Sequence, residues 1–290
     1  MKPRVIVVIL GALLLCSYLT GCGGGSAMSS GNSGSGSGGS TGGVTPPTGG
    51  GSNSGAGWVP AVKTSWQWQL STLPTAGELL PVGMYDVDGF NADASLITAM
   101  HAKNIHAVCY LSLGTYEDWR ADASSFPTAT LGLGNGWPGE QWLDIRQISK
   151  LGPVMKARFQ MCKDKGFDAI EPDNIDGYSN VTGFPLTAAD QLAYNEWIAT
   201  TAHSMGMSVA LKNDLDQVGD LVSHFDFALN EQCFEFGECD KLTPFITANK
   251  AVFEVEYTLL PTQFCTQANA MDFNSLKKDL DLTATVTACR

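Results

Sequence analysis

Residues 166–178 read GFDAIEPDNIDGY and predict a buried strand that ends in carboxylates. Phe167, Ala169 and Ile170 are apolar and supply the buried part of this strand. Four carboxylates lie within the nine residues 168–176, and acids are costly to bury unless they are paired or functional. In a parallel α/β protein the active site lies at the carboxyl ends of the strands. The segment therefore predicts a strand that carries acids into an active site.

The remaining sequence repeats this pattern. Seven further apolar or β-branched runs predict strands, at 66–70, 81–88, 106–113, 208–212, 225–230, 251–256 and 283–287. Helical patterns fall between most of them, at 93–103, 147–165, 187–204, 215–223, 240–248 and in part of 261–280. Such alternation over about 230 residues predicts an α/β fold, a (β/α)8 TIM barrel, with an open doubly wound sheet as the alternative. Because the sequence ends just after the eighth strand candidate, we expect the last helix to be missing or replaced.

A long insertion, 114–146, separates the third predicted strand from the next helix. It contains Trp119, Trp137 and Trp142 together with several glycines and prolines. Long loops at the functional end of a fold are commonly lids or binding walls. We therefore expect this insertion to lie beside the site.

The N-terminal residues predict export and a tether rather than part of the fold. Residues 1–21 combine a basic start with a short apolar run and read as a signal peptide. They lead into LTGC, which resembles the lipobox of bacterial lipoproteins and implies a lipid at Cys22 that anchors the exported protein to a membrane; an ordinary secretory signal is the alternative. Residues 22–61 are rich in Gly and Ser, which predicts a disordered linker. A single catalytic domain then covers 62–290.

The chain is acidic, with 29 Asp and Glu against 17 Lys and Arg and a formal net charge of −12. Nucleic acid is a poor partner for such a surface, whereas a cationic or neutral ligand suits it. We expect a monomer whose partners are a substrate and, through the N-terminal lipid, a membrane.

Six cysteines remain in the domain, and an even number in an exported protein indicates disulfides. We expect the pairs Cys109–Cys162, Cys233–Cys239 and Cys265–Cys289. The second pair flanks a short loop, but six cysteines allow fifteen connectivities, so the pairing stays open. A zinc site is not expected, because no Cys-x-x-Cys pair is present and the four histidines are scattered.

Polar side chains gather where the predicted strands stop. They are Asp86, Asp88, Glu171, Asp173, Lys212, Asp214, Glu231 and Glu256. In a barrel these strand ends converge on one rim. The sequence contains no His-Glu-x-x-His, P-loop or Gly-x-Ser-x-Gly pattern, and we expect no cofactor and no metal. Carboxylates with aromatic neighbours suit glycoside hydrolysis, which needs one acid to protonate the leaving oxygen and a second carboxylate as nucleophile or base.

Seven motifs follow one another along 64–280. They are Trp66-Gln-Trp-Gln-Leu70, Tyr110-Leu-Ser-Leu-Gly114, Trp137-Pro-Gly-Glu140, the segment 166–176, Leu211-Lys-Asn-Asp214, Asn230-Glu-Gln-Cys233 and Glu254-Val-Glu-Tyr257. In this order they resemble glycoside hydrolase family 114, the endo-α-1,4-polygalactosaminidases. The resemblance implies a (β/α)8 barrel that cuts galactosamine-rich polysaccharide within the chain.

The same resemblance implies two catalytic carboxylates, Asp173 in Glu-Pro-Asp-Asn and Glu231 in Asn-Glu-Gln-Cys. We assign the acid to Glu231 and the nucleophile or base to Asp173, and the sequence leaves retaining and inverting mechanisms open. Substrate-binding residues are expected among Asp86, Asp88, Tyr110, Glu171, Lys212, Glu256 and Tyr257. As an alternative to binding substrate, Lys212 orients a carboxylate or pairs with Glu171. The acids would attract the ammonium groups of a partly deacetylated galactosamine polymer.

Two competing functions remain. One is a non-catalytic carbohydrate-binding lipoprotein on a decayed barrel, although both acid motifs are intact. The other is a barrel glycosidase that acts on a neutral glycan, and salt-insensitive activity on a neutral polymer would identify it.

Overall fold

The structure, a computed structural model, describes residues 57–290. The signal peptide, Cys22 and the linker up to residue 56 lie outside the described residues. The strands are β1 (Trp66–Gln69), β2 (Met84–Asp88), β3 (His106–Ser112), β4 (Thr115–Glu117), β5 (Leu131–Gly134), β6 (Glu140–Leu143), β7 (Ala169–Asp173), β8 (Ser208–Lys212), β9 (Phe227–Glu231), β10 (Val252–Glu256), β11 (Asn274–Lys277) and β12 (Thr287–Ala288). Nine of them form one sheet in the order β1-β2-β3-β7-β8-β9-β10-β11-β12, and β4, β6 and β5 form a second.

The large sheet contains eight parallel strands and is curled, so that the Trp66 side chain on the first strand contacts the eighth. Trp66 Nε1 on β1 donates to the carbonyl of Asn274 on β11 at 2.8 Å, and the Leu70 N–H donates to the carbonyl of Leu282 at 3.0 Å. The enclosed space is filled by apolar side chains from the strands, among them Trp66, Trp68, Val108, Ala169, Phe227, Phe253 and Leu276. The α/β prediction is confirmed, and the sheet has the curvature of a TIM-like barrel.

Helices pack against the outer face of this sheet. They are α1 (Ala94–His101), α2 (Ile148–Lys165), α3 (Ala188–Ser204), α4 (Val218–Leu221), α5 (Cys233–Phe236), α6 (Thr243–Thr247) and α7 (Pro261–Ala270). Gly166 ends α2 with a φ of 92°, a left-handed conformation that glycine adopts readily. Thr187 and Asp190 form a capping box at the start of α3. The parallel strands are therefore covered on both faces, so side chains leave the core mainly at the strand ends.

The eighth parallel strand lies earlier in the chain than the sequence predicted. It is Asn274–Lys277, whereas the β-branched run 283–287 contributes only its last residue to the short antiparallel strand β12. No helix follows β11 among the described residues. The β-propensity of a short run depends on its packing neighbours. Here the polar residues Asn274 and Ser275 are buried beside β10, while the threonine-rich run stays largely exposed.

The insertion 114–146 forms the small antiparallel sheet of β4, β6 and β5. It begins where a side chain cannot fit, because a Cβ on Gly114 would lie 1.6 Å from the carbonyl oxygen of Asn174. The start of the insertion is thereby pressed against the end of β7, which carries Asp173. The insertion therefore forms a wall beside this strand end, at the place expected for it.

Three disulfides join Cys109 to Cys162, Cys233 to Cys239 and Cys265 to Cys289, which is the pairing favoured above. Disulfides persist in oxidising compartments, and their presence agrees with an exported protein. Among residues 57–290, no helix combines the length and the apolarity that crossing a bilayer requires.

Candidate active site

Lys212 lies at the centre of a cluster of carboxylates at the carboxyl ends of the strands. Its Nζ, at the end of β8, lies 2.8 Å from Glu171 Oε1, 2.8 Å from Asp173 Oδ1 and 3.2 Å from Glu231 Oε2. The ammonium also lies 4.7 Å from the centre of the Trp68 ring, a cation–π contact. Burial by itself lowers the pKa of Lys212, but the neighbouring carboxylates outweigh burial and raise the pKa well above its usual value. Lys212 is therefore a permanently charged bridge.

Asp173 ends β7 and is held in its ionised form. Its Oδ2 accepts hydrogen bonds from the Tyr110 hydroxyl at 2.9 Å and from Asn174 Nδ2 at 3.2 Å, while Oδ1 faces Lys212. Burial favours the protonated form, but the Lys212 charge and these hydrogen bonds together hold the pKa of Asp173 below its usual value. At neutral pH this carboxylate is an available nucleophile or base.

Glu231 ends β9 and faces Asp173 across the Lys212 ammonium. Its Oε1 accepts a hydrogen bond from the Tyr257 hydroxyl, and its Oε2 accepts one from Asn213 Nδ2 at 3.3 Å. The backbone is fixed as well, since the Glu231 N–H donates to Asn213 Oδ1 at 3.0 Å. About a quarter of the side chain, 26%, is exposed, compared with 18% for Asp173, so both reach solvent and a substrate.

Asp86 and Glu171 form a buried acid pair beneath Lys212. Neither side chain is exposed, and burial followed by mutual repulsion raises the pKa of Asp86 well above its usual value. Burial also raises the pKa of Glu171, although the charge of Lys212 and a hydrogen bond from Asp86 oppose it. A proton on Asp86 therefore bonds to Glu171, and this pair of acids places only one negative charge beside Lys212. Glu171 contacts the ammonium directly, and Asp86 acts on it through Glu171.

Two expected substrate-binding residues do not join this cluster. Asp88 is almost completely buried and is held by Arg120, with Asp88 Oδ2 2.8 Å from Nη2. Glu256 is fully buried on the outer face of β10, because side chains alternate along a strand and its neighbour Val255 points inward. Its Oε1 accepts the backbone N–H groups of Phe234 and Glu235. These two acids therefore hold the structure and are no longer candidates for the rim.

Several residues of the site escaped the sequence analysis. Asn174 and Asn213 each hold one of the two central carboxylates, and both have a left-handed backbone, with φ of 61° and 50°. Glu140 from the insertion reaches the same network through Asn174, at 3.2 Å. The sequence did contain a signal for these residues, because each of them belongs to one of the seven motifs quoted above. The motifs alone did not indicate what their side chains do.

Additional acids lie around the central pair. Burial, with the charge of Asp173, raises the pKa of the partly exposed Asp176 to about 6. Burial and the charge of Asp176 raise the pKa of Asp214 to about 7, against hydrogen bonds from Tyr178 and Asn195. The surroundings of the site are therefore negative and become more so as the pH rises.

The arrangement is suited to glycoside hydrolysis. Asp173 Oδ1 and Glu231 Oε2 contact the same nitrogen, so they lie no further apart than those two contact distances together. One of the two carboxylates is kept ionised by Lys212. Such a pair supplies a nucleophile or base and an acid on opposite sides of a scissile bond.

Comparison with known proteins agrees with this chemistry. The model of glycoside hydrolase family GH114 matches residues 50–290. Ega3 from Aspergillus fumigatus, whose crystal structure was solved in complex with galactosamine, is 34% identical to this chain in sequence. The two structures superpose with a TM-score of 0.76, and the match covers 81% of this chain and 98% of that chain. The glycoside hydrolase domain of PelA from Pseudomonas aeruginosa is 11% identical with a TM-score of 0.62, over 77% of this chain and 98% of that chain, a likeness of fold alone. No curated protein matches the chain. With the family matched over most of its length, the chain is a glycosidase that belongs to glycoside hydrolase family GH114.

Proposed function

We propose that the protein is an endo-acting hydrolase of α-1,4-linked, galactosamine-containing polysaccharide, with Asp173 as nucleophile and Glu231 as general acid. The observation that carries the proposal is the contact of one buried ammonium, Lys212 Nζ, with both carboxylates. The resemblance of the motifs and the likeness to a protein solved in complex with galactosamine support the substrate class. The roles follow from electrostatics, because a lowered pKa suits a nucleophile.

The short separation of the two carboxylates favours a retaining mechanism. Retaining glycosidases place their carboxyl groups about 5–5.5 Å apart, whereas inverting enzymes need about 6.5–9.5 Å to admit a water molecule. Because Asp173 and Glu231 share Lys212 at 2.8 and 3.2 Å, the facing oxygens stay below the inverting range. This bound on the facing oxygens favours direct attack by Asp173 on the sugar over attack by an intervening water.

The reaction then has two balanced steps. Glu231 gives its proton to the glycosidic oxygen while the bond from that oxygen to the anomeric carbon breaks and an oxygen of Asp173 bonds to the carbon. In the second step Glu231 takes a proton from water, the water oxygen attacks the anomeric carbon, and Asp173 leaves as a carboxylate. Tyr110 and Tyr257 hold the two carboxylates throughout by hydrogen bonds.

The charge of the site suits a cationic polymer. Asp176 is partly exposed near Asp173, and the chain as a whole carries a formal charge of −12. Free amino groups of galactosamine are ammonium ions at neutral pH, so they are attracted into the cleft. We further propose that a lipid on Cys22 anchors the enzyme, through its Gly- and Ser-rich linker, to a membrane outside the cytoplasm.

The test is to incubate the full chain with partly deacetylated α-1,4-galactosamine polymer and to count new reducing ends. We expect Asp173→Asn and Glu231→Gln to lower kcat by about 10²–10⁴-fold. Asp216→Asn is the matched control, since this carboxylate is exposed and pairs with Lys241 at the surface. NMR of the first products should show α-anomeric reducing ends, and mass spectrometry should find a glycosyl group on Asp173 when turnover is slowed.

Each outcome separates the alternatives. First products with the β-anomer would replace the retaining mechanism by an inverting one. Binding of the polymer without any new reducing ends would identify a carbohydrate-binding protein. Salt-insensitive cleavage of a neutral glycan in place of the galactosamine polymer would overturn the proposed substrate.

A further inference from the structure

The turn Trp137-Pro-Gly-Glu140 has no part in the reaction described so far, yet it delivers a buried carboxylate to Asp173. Glu140 begins β6, and its residue is only 8% exposed. Gly139 has a φ of 87°, and a Cβ there would meet the side chain of Asp118 at 2.5 Å. The turn thus requires glycine at this position, and the backbone fixes where Glu140 enters the network.

Glu140 is joined to Asp173 through a single side chain. Its Oε1 accepts hydrogen bonds from the Thr115 hydroxyl and from Asn174 Nδ2, the latter at 3.2 Å. Asn174 Nδ2 also lies 3.2 Å from Asp173 Oδ2 and 3.0 Å from Ser112 Oγ. One amide group of Asn174 therefore stands between the two carboxylates.

The ionised form of Glu140 sets the direction of these hydrogen bonds. A carboxylate is acceptor only, so the Thr115 hydroxyl must donate to it, which leaves the Thr115 oxygen to accept from Ser112 and from Asn174 Nδ2, the latter at 3.3 Å. The two hydrogens of the Asn174 amide are then aimed at acceptors, one of which is Asp173 Oδ2. The Asn174 amide nitrogen can only donate, so Asp173 receives its hydrogen bond on the oxygen that does not face Lys212.

We propose that Glu140 is a positioning residue for Asp173, which acts through Thr115 and Asn174 to orient the nucleophile and whose negative charge favours the transition state. The inference rests on the proposed function, because it concerns the same nucleophile. It assigns a role in the reaction to a carboxylate of the insertion, which is not part of the barrel.

The charge of Glu140 changes within the working range of pH. Burial, opposed by the Thr115 hydrogen bond and assisted by the charge of Asp173, raises the pKa of Glu140 to about 7. The titratable groups that face it are Asp173 at the end of β7, Glu117 on β4 and Tyr110 on β3. Glu140 is therefore neutral below this pH and anionic above it.

The sign of the effect follows from the reaction. The transition state of glycoside hydrolysis carries positive charge on the sugar, and a nearby anion stabilises it. Ionisation of Glu140 should therefore raise kcat as the pH passes through about 7. Other groups of the enzyme also affect the pH dependence of kcat, so the wild-type profile alone does not isolate the effect of Glu140.

The test is the ratio of kcat between the wild type and Glu140→Gln, measured from pH 5 to pH 9 on the galactosamine polymer. The ratio cancels every titration that the two enzymes share. We expect it to be near 1 at pH 5.5 and to rise to roughly tenfold above pH 8, with little change in KM. A ratio that does not vary with pH would overturn the inference, because a purely structural role has no reason to follow this titration.

Two further variants guard against trivial explanations. Thr115→Val removes a hydrogen bond to the ionised form of Glu140 and leaves the Asn174 link to Asp173 in place, so we expect the kcat ratio for Glu140 to rise about one pH unit higher and to a smaller plateau in this background. If the pH at which kcat rises is unchanged in Thr115→Val, the proposal is contradicted. If Glu140→Gln does not fold, the same rise in kcat is measured by comparing the pH profile of Thr115→Val with that of the wild type, and this comparison then tests the proposal. Asp118→Asn, an exposed carboxylate of the same hairpin, should leave the profile unchanged. A wild type without turnover would instead refute the proposed function, which keeps the two failures distinct.

Discussion

Replacement of Lys212 by methionine removes the ammonium that contacts three carboxylates and keeps the length of the side chain. In the wild type, Nζ lies within 3.2 Å of Glu171, Asp173 and Glu231, and only 2% of the side chain is exposed. Methionine can fill the same space against Trp68 but offers no charge and no donor. The carboxylates are then left beside one another without a counter-ion.

The expected magnitudes follow from that geometry. Removing one partner of a buried ion pair costs about 3–5 kcal/mol of unfolding free energy. Loss of an opposite charge at hydrogen-bond distance raises the pKa of a carboxylate by about 1–3 units, and Asp173 is the carboxylate whose pKa Lys212 now lowers. The acidic limb of kcat/KM reports the nucleophile in the free enzyme, so we expect this limb to move up by about 1–3 pH units.

The stability change should depend on pH with a definite sign. In the wild type, the lowered pKa of Asp173 contributes stability that is present above its unfolded value of 3.8 and is lost as the pH falls through the folded value. In Lys212→Met the folded pKa lies above the unfolded value, so the folded state binds more protons and stability falls as the pH rises from about 4. Denaturant unfolding at pH 5 and pH 7 should show the larger loss at pH 7.

Lys278→Met is the matched control for burial. Lys278 is also 2% exposed and follows β11, but it donates to two neutral acceptors, Gln67 Oε1 and the carbonyl of Thr283. We expect this variant to lose stability without moving the acidic limb. If Lys212→Met left the limb in place, or if Lys278→Met moved it equally, the electrostatic role of Lys212 would be refuted.

Three other outcomes are expected. Tyr257→Phe should lower kcat by about 2- to 10-fold with little effect on KM in steady-state kinetics, because the hydrogen bond that fixes the Glu231 carboxyl group is worth about 0.5–1.5 kcal/mol; an unchanged kcat would show that the contact does not contribute to the reaction. Gly114→Ala should cost about 3 kcal/mol in denaturant unfolding, because its Cβ would collide with the Asn174 carbonyl, and a neutral result would contradict the packing there. KM for the partly deacetylated polymer should rise roughly three- to tenfold between low salt and 0.2 M salt while that for a fully acetylated polymer does not, and equal responses would remove charge attraction from substrate binding.

Sequence reasoning worked best where a pattern has one physical reading. The alternation of apolar strands and amphipathic helices predicted the parallel sheet, and the helical pattern at 147–165 predicted α2. It failed where burial decides, since Asn274–Lys277 is too polar to be recognised as the eighth strand until β10 and Trp66 are placed beside it. Glu256 was expected among the substrate-binding residues for a related reason. The sequence does not show which face of β10 it occupies, and a shift of one position along a strand moves a side chain to the opposite face.

The sequence by itself determined which carboxylates end the strands, that the chain is acidic, and through its motifs which family it resembles. Only the tertiary structure decided which of those acids lie close together and which of them are protonated. Lys212 reaches Asp173 and Glu231 from the end of β8, and their common contact limits the separation on which retention or inversion depends. Protonation was likewise decided by folding, because burial, counter-charges and hydrogen bonds come from segments far apart in the chain. A linear sequence names the ionisable groups, whereas their pKa values and mutual distances exist only once the strands have been brought together.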